Sequence, residues 1–156
     1  MSDRLVLTEL QNPLILNQAK ALEGKGWIEQ TEDYCYLKIT DDYIHSIHPI
    51  LTEYHRHIEK PDYFNSPDAA GAHISVIYPE EKTIPYIENI GQIHTFQICK
   101  LIKAQYDLVE YYVLSITSSS LAVLRQTHHL SAKPVFKGHE IMFHITIGVR
   151  RLSYFG

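Results

Sequence analysis

The sequence predicts an α+β fold made of one strand–helix–strand unit used twice. The stretch YLKIT at 36–40 returns as VLSIT at 113–117. Each copy runs into a helical pattern, then a loop holding Lys-Pro and a nearby Phe (Lys60-Pro61 with Phe64, Lys133-Pro134 with Phe136). Each loop leads to a strand in which a histidine stands two before a small hydroxyl residue: His73-Ile74-Ser75 and His144-Ile145-Thr146. The repeats span about 34–80 and 111–150 of one domain covering 1–156. They predict two similar lobes related by a pseudo-twofold axis and joined by a long antiparallel strand.

The elements follow in order. Asn12-Pro13 reads as a helix start, with Asn as cap and Pro at the first position. Leu14, Ile15, Gln18, Ala19 and Leu22 keep helical spacing, and Gly24 and Gly26 end the run. GWIEQ and YCYLKIT flank Thr31-Glu32-Asp33 as a hairpin. From Asp41-Asp42, the residues Ile44, Ile47, Leu51, Tyr54 and Ile58 keep the spacing of one helix face. Pro49 sits inside this pattern and costs about 3 kcal/mol in a helix interior, so the helix is expected either to start near Ser46, the favoured reading, or to kink at Pro49. A loop, 59–71, leads to the strand AHISVIY. One long strand is expected over GQIHTFQICKLIKAQ, then the strand YYVLSIT and a helix capped within Ser118-Ser119-Ser120, with Leu121, Leu124 and His128 on one face. A second loop, 131–140, leads to the strand IMFHITIGV.

Composition bounds the function. The net charge of −4 argues against a protein that grips long nucleic acid by neutralising its phosphates, but leaves room for a small anion in a local pocket. Cys35 and Cys99 form no metal or redox motif and read as reduced core residues of a cytoplasmic protein. No leader with a basic start and apolar run opens the chain, and no stretch approaches the roughly 20 apolar residues that span a bilayer, so no membrane is expected. Tyr supplies 11 of the aromatic side chains, with Phe 5 and Trp 1. Such amphipathic rings suit half-buried strand faces and a base-stacking pocket equally.

Alternation along a strand places His73 and Ser75 on one face and Ile74, Val76 and Tyr78 on the other. It places His144, Thr146, Gly148 and Arg150 together, opposite Phe143, Ile145, Ile147 and Val149. A lone strand histidine is ordinarily a satisfied structural residue. Two of them at equivalent places in a repeat point to one divided site. Two imidazoles can serve as base and acid on one bond, while the hydroxyls donate to the non-bridging oxygens of a phosphodiester.

His73-Ile74-Ser75 and His144-Ile145-Thr146-Ile147-Gly148 resemble the paired His-x-Thr/Ser motifs of the 2H phosphoesterase superfamily, which includes the 2′-5′ RNA ligase-like RNA cyclic phosphodiesterases. The resemblance runs from about residue 27 to 150 and departs at Ser75, where Thr is commoner. Ser keeps the donor and loses a methyl that fixes its rotamer. The resemblance implies a bilobal fold of two antiparallel sheets with helices outside and a central cleft. It implies His73 and His144 as the acid–base pair, Ser75 and Thr146 as phosphate ligands, and hydrolysis without metal or cofactor. The order of roles is open, with His144 as base and His73 as acid the working assignment. The implied substrate is a nucleotide or short RNA end with a 2′,3′-cyclic phosphate, a related cyclic ester or a 2′-5′ linkage.

Further substrate contacts are expected at Arg150 and Gly148 on the His144 face, at Tyr63, Phe64 and Phe136 as stacking platforms in the two loops, and at Lys38, whose repeat equivalent is Ser115. Tyr78 reads as core. The pairs His45/His48 and His48/His55 have the spacing of one helix face, with no carboxylate or third metal ligand evident. Two alternatives compete with the enzyme: a nucleotide-binding module of the same fold without catalysis, and an interaction protein whose motifs are fossil.

Overall fold

The computed structural model describes residues 4–61, 70–82 and 87–152. The elements are β1 (Leu5–Leu10), α1 (Pro13–Lys20), β2 (Lys25–Thr31), β3 (Tyr34–Lys38), α2 (Asp42–His45), α3 (His48–Tyr54), β4 (His73–Ile77), β5 (Ile93–Thr95), β6 (Gln97–Tyr106), β7 (Val109–Thr117), α4 (Ser119–Thr127), β8 (Val135–Phe136), β9 (His139–Glu140) and β10 (His144–Arg151). The fold is α+β, with one large antiparallel sheet and few helices.

Capping fixes the two helices that the sequence marks best. The Asn12 side chain accepts from the Ile15 N–H, and the Ser118 hydroxyl accepts from the Leu121 N–H. Each such cap is worth about 1 kcal/mol. Around Pro49 the helical pattern splits into α2 and α3, with the proline in the first turn of α3, where its missing N–H costs nothing. The expected start near Ser46 is therefore close for α3 but overlooks α2. The long strand expected over 91–105 is two, β5 and β6, because the chain changes partners at Phe96: its N–H still bonds the Gly24 carbonyl on the β2 side at 2.9 Å, and from Gln97 the pairing is with β7. The loop 131–140 contains the hairpin β8–β9, turned by Lys137 (φ 47°) and Gly138 (φ 81°), both in the left-handed region that a two-residue hairpin needs. Strand β1 carried too little alternation to be read from sequence.

Eight strands form one sheet in the order β1-β6-β7-β10-β4-β3-β2-β5. This corrects the expectation of two sheets: β10 and β4 meet at the pair Ile145↔Ile74 and join the flanks into one. Either side of that junction stand a motif strand and then its repeat strand: β10 with β7, and β4 with β3. Lys38 lies opposite His73 and Ser115 lies opposite His144, so the equivalence of Lys38 and Ser115 holds in the register.

One face of the sheet is covered. Leu37, Ile74, Leu114 and Ile145 are fully buried there with Ile15 and Ala19 of α1, Leu51 of α3 and Leu121 of α4. Burying each such aliphatic side chain is worth about 1.5–3 kcal/mol. Cys35 belongs to this core, whereas Cys99 is exposed, contrary to expectation; both are free. Among the described residues no helix is long and apolar enough to cross a membrane.

Candidate functional site

The opposite face of the sheet carries the motifs. Residues paired across strands point to the same face, so His73 and Ser75 stand with Lys38 and Tyr36, while His144 and Thr146 stand with Ser115 and Val113. A cavity of about 120 Å³ opens on this face, and Ser75, His144 and Thr146 all line it. The two motifs are thus brought together from the two flanks of the sheet, across the β10–β4 junction.

The histidines share one local geometry. His73 Nδ1 lies 2.8 Å from the Gly71 carbonyl and His144 Nδ1 lies 3.0 Å from the Met142 carbonyl, in each case two residues back. A carbonyl only accepts, so Nδ1 carries the hydrogen in both rings, and Nε2 keeps the lone pair when the ring is neutral. Burial pushes the His73 pKa down to about 4; the Gly71 carbonyl works against this, and the charges of His144 and Lys38 add to it. Burial also lowers His144, partly offset by the Met142 carbonyl. Both rings rest neutral at physiological pH.

The rings differ in access. His144 is half-buried and forms part of the cavity wall. His73 is buried, with its ring edge-on to Tyr34 (centroids 5.8 Å apart) and Tyr36 (5.2 Å). It lies beside the cavity rather than in its wall, close enough to His144 for a charge there to oppose one on His73. Gly71 is required at its position. Its φ is +67°, and a Cβ there would stand 2.6 Å from Asp41 Oδ1 and 2.7 Å from Lys38 Nζ.

A bulge in each motif strand corrects three expectations. In β4, Tyr36 faces Ser75 and Cys35 faces Ile77, leaving Val76 as an extra residue. In β10, Val113 faces Thr146 and Tyr112 faces Gly148, leaving Ile147 extra. Each motif strand therefore bulges one residue after its hydroxyl, and the alternation inverts beyond it. Gly148 and Arg150 accordingly leave the site. A Cβ on Gly148 would meet Ile58 Cγ2 at 2.4 Å and Leu51 Cδ2 at 2.8 Å, so this glycine admits the core beneath α3, not a substrate. Arg150 pairs with Glu110, its cross-strand neighbour on the covered face, with Nε 2.6 Å from Oε1. Tyr78 moves the other way and joins the cavity wall, not the core. The carbonyl of the bulged Val76 is taken by Arg125 Nη1 at 2.7 Å. Arg125, fully buried, is held in a bidentate pair with Glu81, whose carboxylate also accepts the Tyr78 and Val135 N–H groups. That clamp fixes both Tyr78 and the β8 strand that carries Phe136.

Phe136 lines the cavity as expected, packed 5.8 Å from Tyr78 and 6.1 Å from Tyr111. Lys38 lies on the His73 face, but its Nζ is 2.6 Å from Asp41 Oδ1 and 3.2 Å from the Ala72 carbonyl. Its ammonium is paired with Asp41, so it braces the backbone beside His73 instead of facing a phosphate. Tyr63 and Phe64 lie outside the described residues. Sequence reasoning missed Tyr34, Tyr111 and Met142 in the wall. The available signal was the alternation Tyr34-x-Tyr36-x-Lys38, which puts Tyr34 on the face already assigned to Lys38. Among the described residues no three His, Cys, Asp or Glu side chains group as metal ligands.

A family model described as "Swiss Army Knife, 2H phosphoesterase domain" matches residues 35–155. No curated protein and no solved structure matches the chain. The family match spans both repeats and both His-x-Ser/Thr strands, so the chain belongs to the 2H phosphoesterase domain family.

Proposed function

We propose that the chain is a metal-independent phosphodiesterase that hydrolyses a 2′,3′-cyclic phosphate, a related cyclic nucleotide ester or a 2′-5′ linkage at the end of a nucleotide or short RNA. The observation that carries this reading is the pair of Nδ1-anchored histidines, each two residues before a hydroxyl, with Ser75, His144 and Thr146 around one cavity. The two flanks act as pseudo-twofold halves. Ser75 and Thr146 donate hydrogen bonds to the non-bridging oxygens. One ring takes a proton from water at Nε2 as the water oxygen bonds to phosphorus. The other, as imidazolium, gives a proton to the ribose oxygen as the P–O bond breaks, and a phosphomonoester leaves.

Both free rings are neutral, so the anionic diester itself favours the proton that the acid needs. Lys38 and His144 both oppose a proton on His73, which favours His144 as the acid and His73 as the base, the reverse of the working assignment. The aromatic wall of Tyr34, Tyr78, Tyr111 and Phe136 suits a stacked base. The burial of His73 against Tyr34 and Tyr36 favours a second reading, nucleotide binding without turnover.

The test is a panel of 2′,3′-cyclic nucleotides, ADP-ribose cyclic phosphate and 2′-5′ oligoadenylate with EDTA present. The enzyme reading expects a phosphomonoester from at least one, undiminished by EDTA. Calorimetric binding of a nucleotide with no product from any would establish the second reading instead.

A further inference from the structure

Ser75 stands where Thr146 stands in the other half, but without the γ-methyl that restricts threonine to few χ1 rotamers in a strand. A serine hydroxyl free to rotate among three wells is a poorly aimed donor. In the structure it does not rotate freely. Tyr34 Oη lies 2.5 Å from Ser75 Oγ, and both side chains line the cavity. Tyr34 is itself held by rings on three sides. Tyr36 is 5.2 Å from it, Tyr78 is stacked on it at 6.2 Å and 19°, and His73 is edge-on at 5.8 Å. Tyr111, at the place in β7 that matches Tyr34 in β3, also lines the cavity, but its ring packs on Phe136.

We propose that Tyr34 is a positioning residue that replaces the missing methyl of the first motif. It fixes the Ser75 rotamer by donating to Oγ, so that the Ser75 hydroxyl proton is directed at the phosphate. With Tyr34 as the donor, the Ser75 O–H remains to point into the cavity. The proposal rests on the phosphodiesterase reading for its kinetic readout, but the geometry behind it does not.

The experiment compares four proteins: wild type, Tyr34→Phe, Ser75→Thr and the double variant. Tyr34→Phe removes one oxygen and keeps the ring packing. The expected result is a loss of about three- to tenfold in kcat/KM, since freeing one side chain among three wells and losing one hydrogen bond is worth about 1 kcal/mol. The pH–rate profile keeps its shape. Ser75→Thr in the Tyr34→Phe background restores most of the loss, because threonine fixes its own rotamer. Far-ultraviolet dichroism and thermal melts check that all four are folded.

A Tyr34→Phe variant equal to or faster than wild type would overturn the proposal and make the tyrosine a cover over His73. So would failure of Ser75→Thr to rescue, or a moved limb in the pH profile. If wild type is inert toward every diester, the phosphodiesterase reading alone falls. The Kd for a 2′-nucleotide, measured by calorimetry in the same four proteins, is then expected to rank them in the same order. Equal Kd values across the four would overturn the proposal.

Discussion

The two motif strands, β4 and β10, solve one problem with different supports. Both tie a histidine Nδ1 to the carbonyl two residues back, and both bulge one residue past the hydroxyl. The β4 half is braced by charge: Asp41 Oδ1 accepts the Ala72 N–H, and Lys38 Nζ bonds both Asp41 and the Ala72 carbonyl. The β10 half is braced beside its histidine by a neutral group. Ser115, opposite His144, accepts the Lys100 N–H through Oγ. The β4 histidine is buried beside aromatic rings, and the β10 histidine faces the cavity. Similar geometry with unlike surroundings is what an acid and a base require, because environment alone must separate two identical imidazoles.

The comparison breaks most plainly at the rings themselves. His73→Ala and His144→Ala are each expected to lower kcat by about 10²–10⁴-fold, and the double variant by far less than the product. Near-normal turnover in either single variant would leave a one-histidine site. Steady-state rates on the diester chosen from the panel decide this.

A smaller effect separates the halves by pH. His73 titrates near 4 when folded against about 6.5 unfolded. Above pH 6.5 the ring is neutral in both states and adds no pH dependence. As pH falls from 6.5 toward 4 the unfolded chain gains a proton that the folded chain refuses. Stability then drops by at most about 3 kcal/mol and levels off below the folded value. Urea unfolding across this window is expected to show a shallower slope in His73→Gln than in wild type, by about one proton.

The two glycines sharpen the contrast at about 1–3 kcal/mol each. Gly148→Ala pushes on Ile58 and Leu51 and is expected to lower the unfolding midpoint while leaving kcat/KM within about twofold. Gly71→Ala strains a positive φ and presses on Asp41 and Lys38, so it is expected to lower kcat/KM as well, by displacing the carbonyl that holds His73. The smallest effect belongs to Arg150→Gln. Its partner Glu110 is on the covered face, so turnover is expected to stay within about twofold. A large loss there would return Arg150 to the site.

Much of this was legible in the sequence. The repeat was visible because its halves preserve strand alternation and turn chemistry, both local properties, and it named His73, Ser75, His144 and Thr146. The errors at Gly148, Arg150 and Tyr78 have one cause. A bulge inserts one residue, inverts every face beyond it and leaves no local mark in Val76 or Ile147, which are ordinary strand formers. The Arg125–Glu81 clamp was hidden for a related reason: its partners lie 44 residues apart and meet only when α4 docks on β4. Lys38 was placed on the right face, but its pairing with Asp41 depends on the turn that follows β3.

The central claim, that the two motifs form one site, is tested most directly by histidine-detected NMR titration with a 2′-nucleotide, the signals assigned by His73→Gln and His144→Gln. The account predicts that the His73 and His144 ring signals shift together with one Kd and that the pKa of at least one ring rises as the phosphate binds. A shift confined to one ring, or two different Kd values, would contradict it.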